Sequence, residues 1–303
     1  MLSVNLRTIA STLGMKIINL HRISSILILF SILLFSCQKR ADKNPGQTET
    51  DRDSNTLIGK QVLVTTNIKG KVLDGYWLYL PKGHSSSKKW PVIMFLAGGG
   101  SIGSELTPQN NWGPAKYIQD ESSDPLVRSY VMDSFILVTP HMKAGDFWER
   151  QWYDQHEALM DIISQLQIQF NSDPSRVYVT GASRGGHGTW GLAAKEKNKI
   201  AAIVPIAGDL HGVKDFSVLV NIPIWVIHNT GDQTVDFRSS AMAVSEIEKF
   251  GIKFLNTESL SLHEKDLGNA NIFTSLQSEE HNAWDDVYKN VNFYKWLMQF
   301  RSE

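Results

Sequence analysis

One serine in the chain has neighbours that single it out. It lies in Gly181-Ala182-Ser183-Arg184-Gly185-Gly186, directly after the apolar run Val177-Tyr178-Val179-Thr180 and ahead of a stretch with helical spacing. A serine on a tight strand-to-helix turn needs small residues two positions before and after it, because a side chain at 181 or 185 collides with adjacent backbone. Such a turn holds the hydroxyl out over the edge of a sheet. The helix that begins there points its free N–H groups and positive dipole end at the reacting centre. This arrangement suits nucleophilic attack on a carbonyl; a plain glycine-rich turn is the bland alternative.

A serine hydroxyl is a poor nucleophile until a base takes its proton, so the reading demands a histidine and an orienting carboxylate. In strand-turn-helix elbows of this kind the acid and then the histidine follow the serine in the chain. Asp232 follows the apolar run Ile224-Trp225-Val226-Ile227, where a strand end would place the acid. Asp209 and Asp236 compete: Asp209 ends the preceding run, one strand early, and Asp236 leads into the next helical stretch. Of nine histidines only His263 and His281 come after Asp232. His281, in a loop ahead of the last helical stretch, is the expected base, and His263 reads as a surface residue. His228 reads as structural, hydrogen-bonded beneath the acid loop. His187, one turn into the helix after Ser183, can line the site.

Negative charge developing on a carbonyl oxygen needs preorganised backbone donors. The N–H of Arg184 is one, and the loop Ala97-Gly98-Gly99-Gly100 supplies the other, with Gly99 as the choice. Trp112, Trp148 and Trp152 fall in expected loops around the same edge, where they form either an aromatic wall or packing beneath the loops. Trp148, Trp152, His187 and Trp284 make up the expected substrate-binding set. No metal or other cofactor is indicated. His156-Glu157 would open a zinc motif only with a histidine at 160, which is Met160, and no glycine-rich phosphate loop with lysine occurs.

The elements that must carry these residues alternate. Val62 to Thr66 and Tyr76 to Leu80 read as an antiparallel pair. Val92 to Leu96, Phe135 to Thr139, Val177 to Thr180, Ile200 to Ala207 and Ile224 to Ile227 are continuous apolar runs, as in strands buried on both faces of a parallel sheet. Helical spacing covers Glu157 to Phe170, Gly185 to Lys195, Ser239 to Phe250 and Asp285 to Phe300. The order predicts an α/β fold, a mostly parallel sheet with helices on both faces and the ligand beyond the carboxyl ends of the strands. Gly98 to Ser134, Met142 to His156 and Ser261 to Glu280 are expected as loops above the sheet.

Composition is that of a globular chain: 303 residues, 42% hydrophobic and 20% charged, with a net charge of -1 and no basic run. A nucleic-acid surface is therefore not expected. Ile23 to Phe35 carries no charge and follows Lys16, His21 and Arg22; at that length it reads as a signal peptide over residues 1–36, with Met15 an alternative start, rather than a membrane span. Leu34-Phe35-Ser36-Cys37 resembles a bacterial lipoprotein box, which implies acylation of Cys37, the only cysteine. Residues 37–56 are polar and read as a tether, and 57–303 as the folded domain. The expectation is an exported protein held to a bacterial membrane by its N-terminal lipid, facing periplasm or cell surface.

Tyr76-Trp77-Leu78-Tyr79-Leu80-Pro81, the glycine loop, Gly181 to Trp190, Trp225 to Asp232 and His281 to Trp284 together resemble the α/β-hydrolase carboxylesterases often labelled predicted peptidases, relatives of polyhydroxybutyrate depolymerases and feruloyl esterases. The resemblance covers residues 60–300. It implies a triad of Ser183, Asp232 and His281 and a small-molecule or oligosaccharide ester as substrate. Family members usually have histidine where this chain has Ala97, and methionine where it has Arg184. Peptide hydrolysis by the same triad, or a surface binding lipoprotein without activity, are the alternatives.

Overall fold

The computed structural model describes residues 54–65, 72–103, 113–145, 150–210 and 213–303. A single turn, α1 (Ser54–Leu57), brings Leu57 into the core ahead of β1 (Gln61–Val64), which pairs antiparallel with β2 (Leu73–Tyr79), Val62 opposite Leu78. The apolar runs then become β3 (Trp90–Leu96), β4 (Ile136–Met142), β5 (Ser172–Ala182), β6 (Ala202–Ile206) and β7 (Ile224–Asn229). Every residue of β3, β4, β6 and β7 is buried, which requires cover on both faces of the sheet. Two further strands, β8 (Leu255–Thr257) and β9 (Asn271–Leu276), complete a nine-stranded sheet in the order β1-β2-β4-β3-β5-β6-β7-β9-β8. From β4 to β8 all neighbours are parallel.

The covering helices are α2 (Pro125–Asp133), α3 (His156–Phe170), α4 (Arg184–Glu196) and α5 (Phe237–Glu248), then the short α6 (Glu264–Leu267), α7 (Trp284–Tyr288) and α8 (Val291–Leu297). Three expectations are corrected. The last helical stretch is two helices, because Asn290 leaves helical geometry and its side chain caps the N–H of Asn292. Ser261 to Glu280 is not a loop, since it contains α6 and β9. Likewise α2 lies inside Gly98 to Ser134, its start fixed by Asp124 accepting from Leu126 N–H with Pro125 at the first turn.

Aromatic rings tie the carboxyl-terminal helices to the sheet. Tyr288 is fully buried with its hydroxyl 2.9 Å from Thr180 Oγ1 on β5, and Trp296 meets Trp225 of β7 edge to face at 5.7 Å. Each such ring buries a large apolar area and adds a directional contact. As a result the strands that carry the candidate site are clamped within a few residues of their functional ends. Among the described residues no helix is long and apolar enough to cross a membrane, and no group of three His, Cys, Asp or Glu stands where it could hold a metal. Cys37 and the expected signal and tether residues up to 53 lie outside the described residues.

Candidate active site

Ser183 stands between β5 and α4 with φ 55° and ψ -117°, a left-handed conformation that non-glycine residues rarely take. Its N–H donates to the carbonyl of Ile206 on β6 at 2.9 Å. The glycines around it are there for space. A methyl at Gly181 would come within 2.8 Å of the Leu96 carbonyl oxygen, one at Gly185 would collide with the same carbonyl, and one at Gly186 would stand 2.6 Å from Ile206 O. The first turn of α4 is thus pressed against the ends of β3 and β6, and Ser183 is left partly exposed over the sheet edge.

The acid and the base lie two and three strands away on that same edge, after β7 and β9. His281 Nδ1 donates to Asp232 Oδ2 at 2.6 Å, while Asp232 Oδ1 accepts from the N–H groups of Thr234 (2.8 Å) and Val235 (3.0 Å). Burial alone would push the Asp232 carboxyl up. The hydrogen bonds from His281, Val235 and Thr234 outweigh it, and the group is held below the usual carboxylate range. With Nδ1 engaged, the free nitrogen of His281 is Nε2. The ring meets Trp284 edge to face at 5.2 Å, so its plane is set from a second direction. Ser183 Oγ makes no hydrogen bond among the described residues; such contacts often close only around a substrate.

The two loops are fastened to each other. Asn229 Nδ2 donates to Glu280 O at 2.7 Å, Thr230 N–H to Leu276 O and Gly231 N–H to Ser278 O, both at 2.9 Å. A side chain at Gly231 would press on Glu279 Cα and Ser278 O at 3.0 Å. Asn229 and Gly231 were not singled out from sequence; a glycine just before the acid was the available signal. The competing carboxylates have other places. Asp236 caps α5 and pairs with exposed Arg238, and Asp209 lies 3.4 Å from His187 Nδ1. His263 is exposed at the start of α6, and His228 is fully buried beneath Asp232.

Gly99 opens a single 3-10 turn, Gly99–Ser101, and its N–H and that of Gly100 have no acceptor among the described residues. Open space surrounds both. The glycine that must be small is Gly98, where a methyl would stand 3.3 Å from Ala182 O and 3.8 Å from Ser183 Cβ. Trp152 departs from expectation. It is 1% exposed, packs on Gly188 of α4, and its Nε1 donates to Ala97 O at 2.9 Å, so it braces the glycine loop and offers no face to a ligand. Ala97 itself has no side-chain group to hold that loop; the indole does so. Arg184 is buried, within electrostatic reach of Tyr153. His187 is nearly buried, Trp284 backs His281, and Trp148 lies outside the described residues.

No protein-family model matches the chain. Over 108 residues it is 30% identical to the bifunctional acetylxylan esterase/xylanase XynS20E of Neocallimastix patriciarum, which covers 35% of this chain and 16% of that protein. Among solved structures, a thermostable esterase matches with a TM-score of 0.60 at 22% identity, over 80% of this chain and 63% of the other. A structure from Bacteroides ovatus assigned as a dipeptidyl aminopeptidase IV matches with a TM-score of 0.55 at 14% identity, over 80% and 35%. The chain therefore spans less than two thirds of each of these proteins. At such identities the likeness establishes the fold, that of the α/β hydrolases, and a fold shared by esterase and peptidase leaves the reaction to be argued from the site.

Proposed function

We propose that the chain is a serine hydrolase of the carboxylesterase type, with Ser183 as nucleophile, His281 as base and Asp232 as orienting acid, acting on acyl esters of carbohydrates. The observation that carries this is the 2.6 Å hydrogen bond from His281 to a buried, ionised Asp232 on the sheet edge where Ser183 is held strained and partly exposed. His281 Nε2 takes the Ser183 proton as Oγ attacks the ester carbonyl. The tetrahedral oxyanion is met by the N–H groups of Arg184 and Gly99. Its collapse expels the alcohol, protonated by His281, and water activated by the same nitrogen then releases the acid. The acetylxylan esterase activity of the Neocallimastix relative supports an acetylated or otherwise acylated sugar as substrate. Export with a lipid on Cys37 belongs to the same proposal and would place such an enzyme where oligosaccharides arrive.

The test is a panel of purified protein against acetylated and feruloylated sugars, short-chain aryl esters and peptide amides, with Ser183→Ala in parallel. Ester turnover and covalent labelling by a fluorophosphonate are expected of the native chain and neither of Ser183→Ala, with thermal stability within about 1 kcal/mol of native. Ser183→Ala protein that keeps substantial esterase activity overturns the assignment. Turnover of amides but not esters would move the chain to the peptidases.

A further inference from the structure

Asp232 has a second histidine. His228, the fifth residue of β7, is fully buried, and its Nε2 stands 3.2 Å from Asp232 Oδ2 and 3.0 Å from Val235 O. Both neighbours are acceptors, so Nε2 carries a proton. On the other side of the ring, Nδ1 is 2.8 Å from Ser240 Oγ on α5, whose hydroxyl also lies 3.2 Å from Gly208 O. A hydroxyl has one proton to give. If Ser240 gives it to Nδ1, the ring is neutral; if to Gly208, the ring must be an imidazolium with both nitrogens donating. Burial, the largest influence on His228, disfavours the charged form, and it outweighs the opposing pull of Val235 O and Asp232. Phe237 closes the ring's remaining side edge to face at 5.8 Å.

We infer that His228 is a positioning residue for the triad: a neutral imidazole, locked as the Nε2–H tautomer by Ser240, that donates to the same carboxylate oxygen as His281. Asp232 then accepts four hydrogen bonds, His281 and His228 on Oδ2 and two backbone N–H groups on Oδ1. The carboxylate cannot rotate away from His281, and part of its charge is drawn off by His228. This tempers how strongly Asp232 stabilises the imidazolium formed when Ser183 is deprotonated, and so sets where the base works. The charged and titratable groups around the pair are few: Asp232 and the exposed Asp236, itself paired with Arg238, from the loop after β7, and His281 with exposed Glu279 and Glu280 from the loop after β9. From α5 come the uncharged Ser240 and Phe237, with exposed Arg238 turned to Asp236, and from the end of β6 the Gly208 carbonyl, with the neighbouring Asp209 set against His187.

The inference rests on the triad reading for its kinetic part, and its spectroscopic part stands without it. The Nδ1–H proton of His281 is read by NMR in the whole chain without substrate, and kcat and its pH profile are read on the best ester. His228→Leu should move that proton resonance, lower kcat about ten- to a hundredfold with little change in KM, and carry the acid limb of the profile to higher pH. His228→Gln, whose amide N–H can reach the same oxygen, should recover most of the loss. Ser240→Ala, which removes a single oxygen atom, should move the resonance in the same direction and cost less. Should His228→Leu not fold, Ser240→Ala and His228→Gln carry the test. An unmoved resonance and pH profile in the folded variants would overturn the inference while leaving the hydrolase reading intact; an inactive native chain with a shifted resonance would do the reverse.

Discussion

Single atoms decide the turn that holds Ser183. At Gly185 a methyl group has nowhere to go but into the Leu96 carbonyl, so Gly185→Ala is expected to cost about 3 kcal/mol or to prevent folding, as measured by chemical denaturation. Gly99→Ala meets open space and should fold with near-native stability. The difference between two glycines of one site is thus a prediction about packing rather than about motif. Asp232→Asn should leave the fold intact and lower turnover by about 10⁴-fold, as the wrong imidazole tautomer does in serine proteases. If Asp209→Asn were the variant that lost activity instead, the strand-end assignment of the acid would be wrong. At this scale the sequence was readable where sterics leave one residue type, as at Gly181 and Gly185. It was not readable at Trp152, because nothing in a one-dimensional spacing says whether an indole lines a pocket or passes beneath it to Ala97.

Between elements, the brace from Trp152 to the glycine loop is the joint that most affects chemistry. Trp152→Phe keeps an aromatic ring but removes the Nε1–H and part of the buried indole, so about 2 kcal/mol of stability is expected to go, together with about tenfold in kcat as the loop after β3 loosens. A variant whose stability falls but whose kcat does not would limit Trp152 to packing. The strands read correctly from sequence were the continuous apolar runs. β9 escaped because it is half polar, Asn271-Ile272-Phe273-Thr274-Ser275-Leu276, and its buried Thr274 is paid for by accepting from the Trp225 indole on β7 at 2.9 Å. A partner on another strand made a threonine acceptable in the core, and no local pattern announces that partner. For the same reason His228, fully buried inside β7, could be placed beneath the acid loop from sequence but not given its two acceptors.

For the molecule as a whole, pH sensitivity should come from a knot far from Ser183. Asp173, near the start of β5, is almost buried. Burial pushes its carboxyl up, but Ser175, the guanidinium of Arg176 and the Ser175 N–H outweigh that and hold it at about 2. The chain end is drawn into the same knot, with Arg301 3.2 Å from Asp173 and Ser302 N–H donating to Ser175 O. A carboxyl depressed on folding stabilises the native state above its unfolded value and loses that contribution as pH falls through its folded value. Asp173→Asn should therefore cost about 2 kcal/mol at pH 7, and the gap to native should close between about pH 4 and pH 2, read as Tm against pH. At the other end, Cys37→Ser is expected to release the chain from the detergent-extracted membrane fraction; retention without acylation would argue for a membrane-spanning anchor instead.

The position of β9 has a consequence in time. It is threaded between β7 and β8, although β8 precedes it in the chain, so during synthesis β8 leaves the ribosome before the strand it must pair with exists. Until residue 276 has emerged, β7 presents an open, apolar edge, and the acid loop after it has no histidine loop to fasten to. Nascent chains are thus exposed to mispairing until β9 has emerged, and the site is completed only when that strand slides in and the histidine loop follows it. Chains stalled before that point should capture holdase chaperones and stay unlabelled by a fluorophosphonate, and a stalled chain ending beyond α8 should lose the one and gain the other.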